Sequence, residues 1–249
     1  LIQEQNGFAG LTNKIVGKKA RKICVAYENM ERFFPADRIV LTGNPIRKDI
    51  VPATEQMKEE GNAFYGLNPQ AKHIFVVGGS LGSGTLNNAM KKWIGEGCPG
   101  GEDVEIIWQC GKYYKKSIDA FMEGKECRNI QHSDFIQRMD LAYAAADVVI
   151  SRAGAMSISE LSLLNKAVVF VPLPTAAEDH QTKNAMSLVN ANAAMIVKNS
   201  ETEKELLPAV FSLLENVEKQ EEMKNNIAKF ARPNAAEDIV DQIEMILNK

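Results

Sequence analysis

Short apolar runs alternate with longer segments of helical periodicity through most of the chain. Runs such as HIFVV, VEIIW and AVVFV are rich in β-branched residues, which is typical of buried strands. In the longer segments, apolar positions recur at helical spacing, as in helices that pack on one face. Strands that alternate with helices predict an α/β fold, a Rossmann-like parallel sheet with helices on both faces. The predicted strands cover residues 73–79, 104–111, 129–135, 147–151, 167–171 and 194–197, and the predicted helices cover 85–94, 112–122, 138–145, 156–164 and 179–190.

These elements are distributed unevenly, which predicts an uneven division into domains. Residues 1–43 hold only two strand candidates, too few for a separate domain, so we expect them to be the tail of a preceding domain. Residues 44–58 contain two prolines and mixed charges and are predicted to be an interdomain linker. The alternating segment 59–232 is predicted to be a ligand-binding domain, and residues 233–249 a C-terminal helix.

Composition narrows the possible functions. The 249 residues are 45% hydrophobic and 24% charged, which are ordinary values for a globular protein. The formal net charge of −3 gives no general basic field, so we expect no nucleic-acid partner. No apolar run approaches the roughly 18 residues of a membrane span. The four cysteines lack metal-ligand spacing and are expected to be small buried thiols.

Two consecutive strand ends in residues 151–184 feed loops that are rich in polar groups. The first loop opens a helix that carries Glu160, and the second leads to His180 and Gln181. Ligands bind at such carboxyl ends of parallel strands, and a helix N-terminus favours a phosphate. Glu160, as an exposed cleft acid, could accept hydrogen bonds from sugar hydroxyls. The segment therefore indicates a nucleotide-sugar site.

The glycine-rich turn GGSLGSG follows the strand at 73–79. It lacks the Gly-Lys-Ser/Thr ending of a P-loop and the spacing of the dinucleotide fingerprint. Its glycines would still allow backbone N–H groups to approach a diphosphate closely, and Ser80 adds a hydroxyl. A turn that needs glycine for geometry alone remains the alternative.

Other candidates each leave two interpretations open. His180 is either a catalytic base or a capping or positioning residue at a helix start. Arg47 is either a solvated linker residue or a contact to phosphate or base in a cleft. The lysines Lys14, Lys18 and Lys19 form either a solvated helix face or a contact to anionic lipid.

Five ordered motifs resemble those of the MurG family of bacterial glycosyltransferases. They are EQNGFAGLTNK (4–14), TGNPIR (42–47), GGSLG (78–82), SRAGAMSISEL (151–161) and VP followed by EDHQTKNA (171–185). The family transfers N-acetylglucosamine (GlcNAc) from UDP-GlcNAc to undecaprenyl-pyrophosphoryl-MurNAc-pentapeptide, which converts lipid I to lipid II in peptidoglycan synthesis. The resemblance implies a GT-B fold, of which this chain would supply the donor domain and the tail of the acceptor domain.

The resemblance also implies how the nucleotide is bound. Ile136 would present backbone groups to the uracil edge, and Ser80 with the GGSLG amides would contact the diphosphate. Ala155, Met156 and Ser157 would offer N–H groups of a helix N-terminus to the same charge. Leu81 departs from the family pattern, in which many members have Gln, and this could remove one donor contact.

Further implied contacts concern the sugars and the cleft. Glu160 would accept hydrogen bonds from the ribose hydroxyls, and Gln181 would bind GlcNAc hydroxyls with His180 alongside. Arg47 and Asn6 would line the cleft. Neither a metal nor another cofactor is expected, because helix termini and loop amides would stabilise the departing diphosphate.

The family's glycine-rich loop with its catalytic histidine would lie upstream of Leu1. We therefore expect these residues to bind donor but to be inactive alone, with lipid I bound through the missing N-terminal domain. The implied location is the cytoplasmic face of the bacterial inner membrane, as a peripheral protein. Two alternatives remain: another GT-B enzyme, such as a glycolipid glycosyltransferase or a UDP-GlcNAc 2-epimerase, or a non-catalytic sugar-nucleotide-binding subunit that needs a partner.

Overall fold

Two parallel sheets organise the computed structural model, which describes residues 1–98 and 100–248. The strands are β1 Ile2–Glu4, β2 Ile23–Val25, β3 Ile39–Leu41, β4 Lys72–Val77, β5 Val104–Gln109, β6 Ile130–Ser133, β7 Val148–Ser151, β8 Ala167–Phe170 and β9 Met195–Ile196. The helices are α1 Leu11–Gly17, α2 Glu55–Tyr65, α3 Gly84–Gly95, α4 Lys115–Met122, α5 Met139–Ala145, α6 Ala155–Leu163, α7 His180–Val189, α8 Thr202–Glu215, α9 Val217–Ile227 and α10 Ala235–Leu247. The small sheet has the order β1-β2-β3, and the six-stranded sheet has the order β6-β5-β4-β7-β8-β9.

The large sheet is covered on both faces, which explains why its central strands are apolar at nearly every position. In β4, Ile74 and Val76 belong to a core that includes side chains of α3 and α8. The alternate residues Phe75 and Val77 belong to a second core with side chains of α5, α6 and α7. Side chains of a strand point to opposite faces in turn, so a continuous apolar run fills both layers. The predicted α/β fold is confirmed.

The N-terminal residues contain one strand more than the sequence pattern indicated. β2 and β3 correspond to the two strand candidates, and β1 pairs with β2 in parallel. β1 was missed because it is only three residues long and includes the polar Gln3 and Glu4. The small sheet packs around its own cluster of apolar side chains.

The predicted domain boundaries remain predictions, but local structure refines them. The last residues of the predicted linker belong to α2, which is capped by Thr54 and packs against α5. The predicted C-terminal helix is α10, and the range given for it ends at Lys249, outside the described residues. None of the described helices combines the length and apolar character needed to cross a membrane.

Asn44 connects the two sheets. It is 2% exposed, and its Nδ2 donates hydrogen bonds to the Gln5 carbonyl and to Ser159 Oγ in α6, each at 3.1 Å. Its Oδ1 accepts from Gln3 Nε2 at 2.8 Å. A buried amide with several good hydrogen bonds fixes its neighbours, so the start of the linker is held against the helix that carries Glu160.

The cysteines divide into two kinds. Cys24 and Cys110 are buried thiols, as expected, and burial raises the pKa of both. Cys98 and Cys127 form a disulfide, so the expectation of free thiols is wrong for this pair. The loops that precede β5 and β6 meet at the amino ends of these adjacent strands, which brings together two residues 29 positions apart.

Candidate functional site

The carboxyl ends of β4 and β7 form the centre of the candidate site. These strands are neighbours, with β5 and β6 on one side and β8 and β9 on the other. The chain order therefore changes direction between β4 and β7, and the loops that follow them diverge. Such a switch point leaves a crevice in which α/β proteins bind ligands. The GGSLG loop and the N-terminus of α6 border this crevice.

The GGSLG loop presents a series of free N–H groups. Gly79 and Gly82 have φ values of +86° and +84°, a region that glycine adopts without strain. Gly82 N donates to Gly79 O at 2.9 Å, which closes the turn. The N–H groups of Gly79, Ser80 and Leu81 donate to no other group among the described residues. Together with the exposed Ser80 hydroxyl, they make a concave surface suited to an anion.

The N-terminus of α6 likewise presents free N–H groups. Gly154 takes the capping position in an extended conformation and provides no side-chain cap. The first hydrogen bond of the helix runs from Ile158 N to Gly154 O. The N–H groups of Ala155, Met156 and Ser157 therefore have no intrahelical acceptor. These three amides and the helix dipole favour a bound negative charge.

Arg152 holds the loops of the site together, and sequence reasoning missed it. Its Nη2 donates to Oγ of Ser83, the residue that caps α3, at 2.7 Å. Its Nη1 donates to Val171 O, Pro172 O and Asn199 Oδ1 at 2.9, 3.1 and 2.8 Å. Burial lowers the pKa of this guanidinium. An arginine directly after a buried strand was the available signal, because such a charge needs several acceptors.

Glu160 is more buried than the sequence suggested. Only 13% of its side chain is exposed, so the expectation of an exposed cleft acid is wrong. Its Oε2 accepts from the hydroxyl of the buried Tyr143 at 3.3 Å, and Arg47 Nε lies 3.8 Å from Oε1. Burial raises the pKa of the Glu160 carboxyl, while Arg47 opposes this effect. The tertiary structure thus brings Arg47 and Glu160 together at the cleft.

Ile136 lies in the loop between β6 and α5. The residue is 4% exposed, and its side chain belongs to the core beneath the site. Within the described part of the chain, neither its N–H nor its carbonyl is hydrogen-bonded. A buried side chain with a free backbone donor and acceptor suits the role predicted from the resemblance, which stays a prediction.

The start of α7 brings the sugar-binding candidates near the N-terminal segment. Gln181 Oε1 accepts from Leu173 N at 2.9 Å, which leaves its amide N–H groups for a ligand. Asn6 Oδ1 accepts from Asn184 Nδ2 at 3.0 Å, and Asn184 Oδ1 accepts from Gly7 N at 2.9 Å. Asn184 is fully buried, and sequence reasoning missed this connecting role.

His180 is the first residue of α7, whereas Asp179 takes the capping position. The capping interpretation of His180 is therefore wrong. Its Nδ1 is buried and has no hydrogen-bond partner in the described structure. Its ring centroid lies 6.1 Å from that of Phe8, which brings it to the same end of the cleft as Asn6. This geometry suits a positioning role for His180.

The three candidate lipid-contacting lysines do not share one environment. Lys14 Nζ lies 4.2 Å from the ring centroid of Phe8 and 3.7 Å from Glu178 Oε2. Lys18 and Lys19 follow α1 and are exposed. Lys14 is therefore directed toward Phe8 and the turn before α7, and only the other two lie on an open surface.

No three His, Cys, Asp or Glu side chains among the described residues are arranged to hold a metal ion. The expectation that the reaction needs no metal concerns the occupied site and stays a prediction.

Comparison with known proteins identifies the family. The model of the glycosyltransferase family 28 C-terminal domain matches residues 73–239. The chain belongs to glycosyltransferase family 28. A crystal structure of MurG from Acinetobacter baumannii is 32% identical, with a TM-score of 0.74, over 98% of this chain and 66% of that one. The GT-B fold and the resemblance to MurG are therefore confirmed.

Curated relatives extend the similarity across the whole chain. A protein of Parabacteroides distasonis named UDP-N-acetylglucosamine--N-acetylmuramyl-(pentapeptide) pyrophosphoryl-undecaprenol N-acetylglucosamine transferase is 50% identical over 100% of this chain and 67% of its own length. A Flavobacterium psychrophilum protein of the same name is 48% identical over 98% of this chain and 65% of its own. The chain thus spans about two thirds of the length of these relatives. A UDP-GlcNAc 2-epimerase from Neisseria meningitidis, at 16% identity and a TM-score of 0.68, shares the fold alone.

Proposed function

We propose that this chain is the donor-binding part of an inverting N-acetylglucosaminyltransferase that converts lipid I to lipid II. The donor would be UDP-GlcNAc, and the acceptor undecaprenyl-pyrophosphoryl-MurNAc-pentapeptide. One observation carries the proposal: free N–H groups from the GGSLG loop and from α6 border one crevice, with the Glu160 carboxylate further along α6. The names of the family 28 relatives support this choice of substrates. The reaction would serve peptidoglycan synthesis and thereby cell shape and division.

The proposed chemistry is a displacement at C1 of the sugar. The bond to the UDP oxygen breaks as the acceptor hydroxyl attacks, and the diphosphate leaves with additional negative charge. Amides of Ser80, Leu81, Ala155, Met156 and Ser157 are directed by the fold rather than by the ligand, so they need little reorganisation as charge develops. Such fixed dipoles stabilise the leaving group, and we propose that no metal is required.

The remaining contacts would orient the donor. The Glu160 carboxylate would accept hydrogen bonds from the ribose hydroxyls, and the free backbone groups of Ile136 would pair with the uracil edge. Gln181 would donate to GlcNAc hydroxyls, with His180 and Asn6 at the same end of the cleft. The attacking hydroxyl also requires a base, whereas the buried Nδ1 of His180 suits a positioning role.

We further propose peripheral binding to an anionic membrane at the cytoplasmic face, where a lipid-linked acceptor would be found. Lys18 and Lys19 directly follow α1, whose apolar residues Leu11 and Ile15 are 66% and 61% exposed. Basic residues beside exposed apolar ones favour an anionic lipid surface.

Calorimetric titration tests the donor assignment. We expect saturable heats with UDP and with UDP-GlcNAc, and none with ADP, because the backbone groups of Ile136 are complementary to a pyrimidine edge. Equal heats for UDP and ADP, or no heat with either, would contradict the proposed function.

A further inference from the structure

Lys112 lies in the loop between β5 and α4, directly beside the GGSLG loop. Its backbone N–H donates to Ser80 O at 3.4 Å. Gly111 and Gly82 pack so closely that a Cβ on either would collide with the backbone of the opposite loop. This glycine contact fixes the position of Lys112 relative to Ser80, whatever its side chain does.

The side chain of Lys112 extends from beside the GGSLG loop, the proposed diphosphate site, toward the loop that contains Ile136, the proposed uracil site. Its Nζ lies 5.7 Å from the ring centroid of Phe135, the residue before Ile136. Lys112 is exposed, and no carboxylate among the described residues lies within 4 Å of its ammonium. A cation–π contact at an exposed position is weak, so the ammonium can move from the ring to a stronger partner.

Three other cations near the site are already paired. Arg152 donates to four fixed acceptors, as described above, and Arg47 lies between Glu160 and Asp49. Lys115, three residues beyond Lys112, contacts both carboxylate oxygens of Asp119 at 2.6 Å. Lys112 is thus the unpaired cation on the loop adjoining Ser80, within the described residues.

We infer that Lys112 binds the diphosphate of the nucleotide donor and supplies a full positive charge to the leaving group. This inference rests on the proposed function, which places the diphosphate at Ser80. Loop amides and a helix terminus provide only partial charges, whereas an ammonium on a flexible stem can follow the charge as it develops. No bond is made or broken at Lys112.

Binding of UDP and of uridine to the wild-type chain and to Lys112→Met tests the inference. Methionine keeps an unbranched side chain but removes the charge. We expect UDP affinity to fall about five- to tenfold, between the values for an exposed ion pair and a buried charged hydrogen bond. Uridine affinity should change less than about twofold, because uridine lacks the phosphates. The loss for UDP should diminish as ionic strength rises.

Lys116→Met is the matched control, because Lys116 is also exposed and lies on the adjacent first turn of α4. It removes the same charge from the same region and should leave UDP affinity within about twofold of wild type. Lys112→Arg should restore most of the lost affinity. Thermal unfolding of each variant establishes that it is folded.

Three results would overturn the inference. They are unchanged UDP affinity in Lys112→Met, an equal loss for uridine and UDP, and an equal loss in Lys116→Met. Each of these leaves the proposed function intact if the wild-type chain binds UDP in preference to ADP. If the wild-type chain binds no UDP, both the proposed function and this inference fail.

Discussion

Glu160 has both a binding role and a packing role, because its carboxylate reaches the cleft from a largely buried position. Replacement by alanine removes the proposed ribose contact and leaves the hydroxyl of buried Tyr143 without its acceptor. We expect Glu160→Ala to weaken UDP binding by about 1.5–3 kcal/mol and to lower the free energy of unfolding by about 1–3 kcal/mol. Calorimetry and urea unfolding measure the two effects.

Glu160→Gln separates these roles. Glutamine can still accept a hydrogen bond from the Tyr143 hydroxyl, so the free energy of unfolding should be largely retained. The loss of charge should still weaken UDP binding. A folded alanine variant with unchanged UDP affinity would assign Glu160 to packing alone.

Lys166 is a second buried charge, located before β8 and away from the proposed site. Its Nζ donates to Ala146 O at 2.8 Å and lies 3.4 Å from Ala144 O at the end of α5. Burial lowers the pKa of Lys166 to about 8, from an ordinary value of 10.5. Between pH 8 and pH 10.5 this lysine binds more protons in the unfolded chain than in the folded one, so its contribution to stability rises with pH.

We therefore expect the wild-type chain to gain about 2 kcal/mol of unfolding free energy between pH 8 and pH 10 relative to Lys166→Met. Urea unfolding at the two pH values measures this difference, in which the other titrating groups cancel. Lys72→Met removes an exposed lysine at the start of β4. Between pH 8 and pH 10, its unfolding free energy should change by the same amount as that of the wild-type chain. Parallel pH profiles for wild type and Lys166→Met would contradict the prediction.

At the scale of secondary-structure elements, the candidate site and the disulfide lie at opposite ends of the strands of the large sheet. Loops at the carboxyl ends carry the candidate site, whereas the Cys98–Cys127 disulfide joins loops at the amino ends of β5 and β6. This polarity follows from parallel pairing, because all strands end on the same side. A change at the amino ends of the strands can therefore alter stability without altering the site.

The disulfide provides a test of this separation. Replacement of Cys98 and Cys127 by serine should lower the unfolding free energy by about 3 kcal/mol, because the unfolded chain loses a closed loop of about 30 residues. UDP affinity should stay within about twofold of wild type, since the disulfide and the site lie at opposite ends of the strands. A reducing agent should lower the melting temperature of the wild-type chain and not that of the variant. An equal response of both proteins would show that the bond is absent.

At the scale of the whole molecule, the small sheet contacts the large one through a few polar connections. Asn44 bonds to α6, Asn6 and Gly7 bond to Asn184 in α7, and Arg21 Nη1 donates to Ile246 O in α10 at 3.4 Å. The side chains Ile239 and Ile246 of α10 are partly buried, whereas Ile243 is 41% exposed. The N-terminal residues are therefore tied to α6, α7 and α10 by hydrogen bonds.

The outer surface of the small sheet unit supports a prediction for membranes. Vesicles of phosphatidylglycerol should bind the chain, and vesicles of phosphatidylcholine should bind it much less. Lys18→Gln with Lys19→Gln should reduce binding to the anionic vesicles about thirtyfold, at about 1 kcal/mol for each lysine. Lys116→Gln with Lys219→Gln, which removes two exposed lysines elsewhere, should have little effect. Equal losses in the two pairs would indicate attraction by overall charge.

The sequence alone determined the architecture of residues 73–197, because strand and helix periods are properties of neighbouring positions. Apolar runs with β-branched residues had to become buried strands, and the alternation with helices required parallel pairing. The same local signals located the two turns that open toward the crevice, since glycine after a strand marks a close backbone approach. The family motifs added roles to these turns.

Only the tertiary structure decided which distant groups share an environment. The pairing of Arg47 with Glu160, the ties made by Arg152 and the junction of Asn6 with Asn184 depend on strand order and loop packing. The disulfide and the direction of Lys14 toward Phe8 have the same origin. Burial also depends on tertiary contacts. The sequence pattern is that of a surface acid at Glu160, but α5 and Arg47 surround this residue in the fold. A linear pattern records which residue types are adjacent in the chain, whereas charge, exposure and pKa depend on neighbours that only folding brings within a few ångströms.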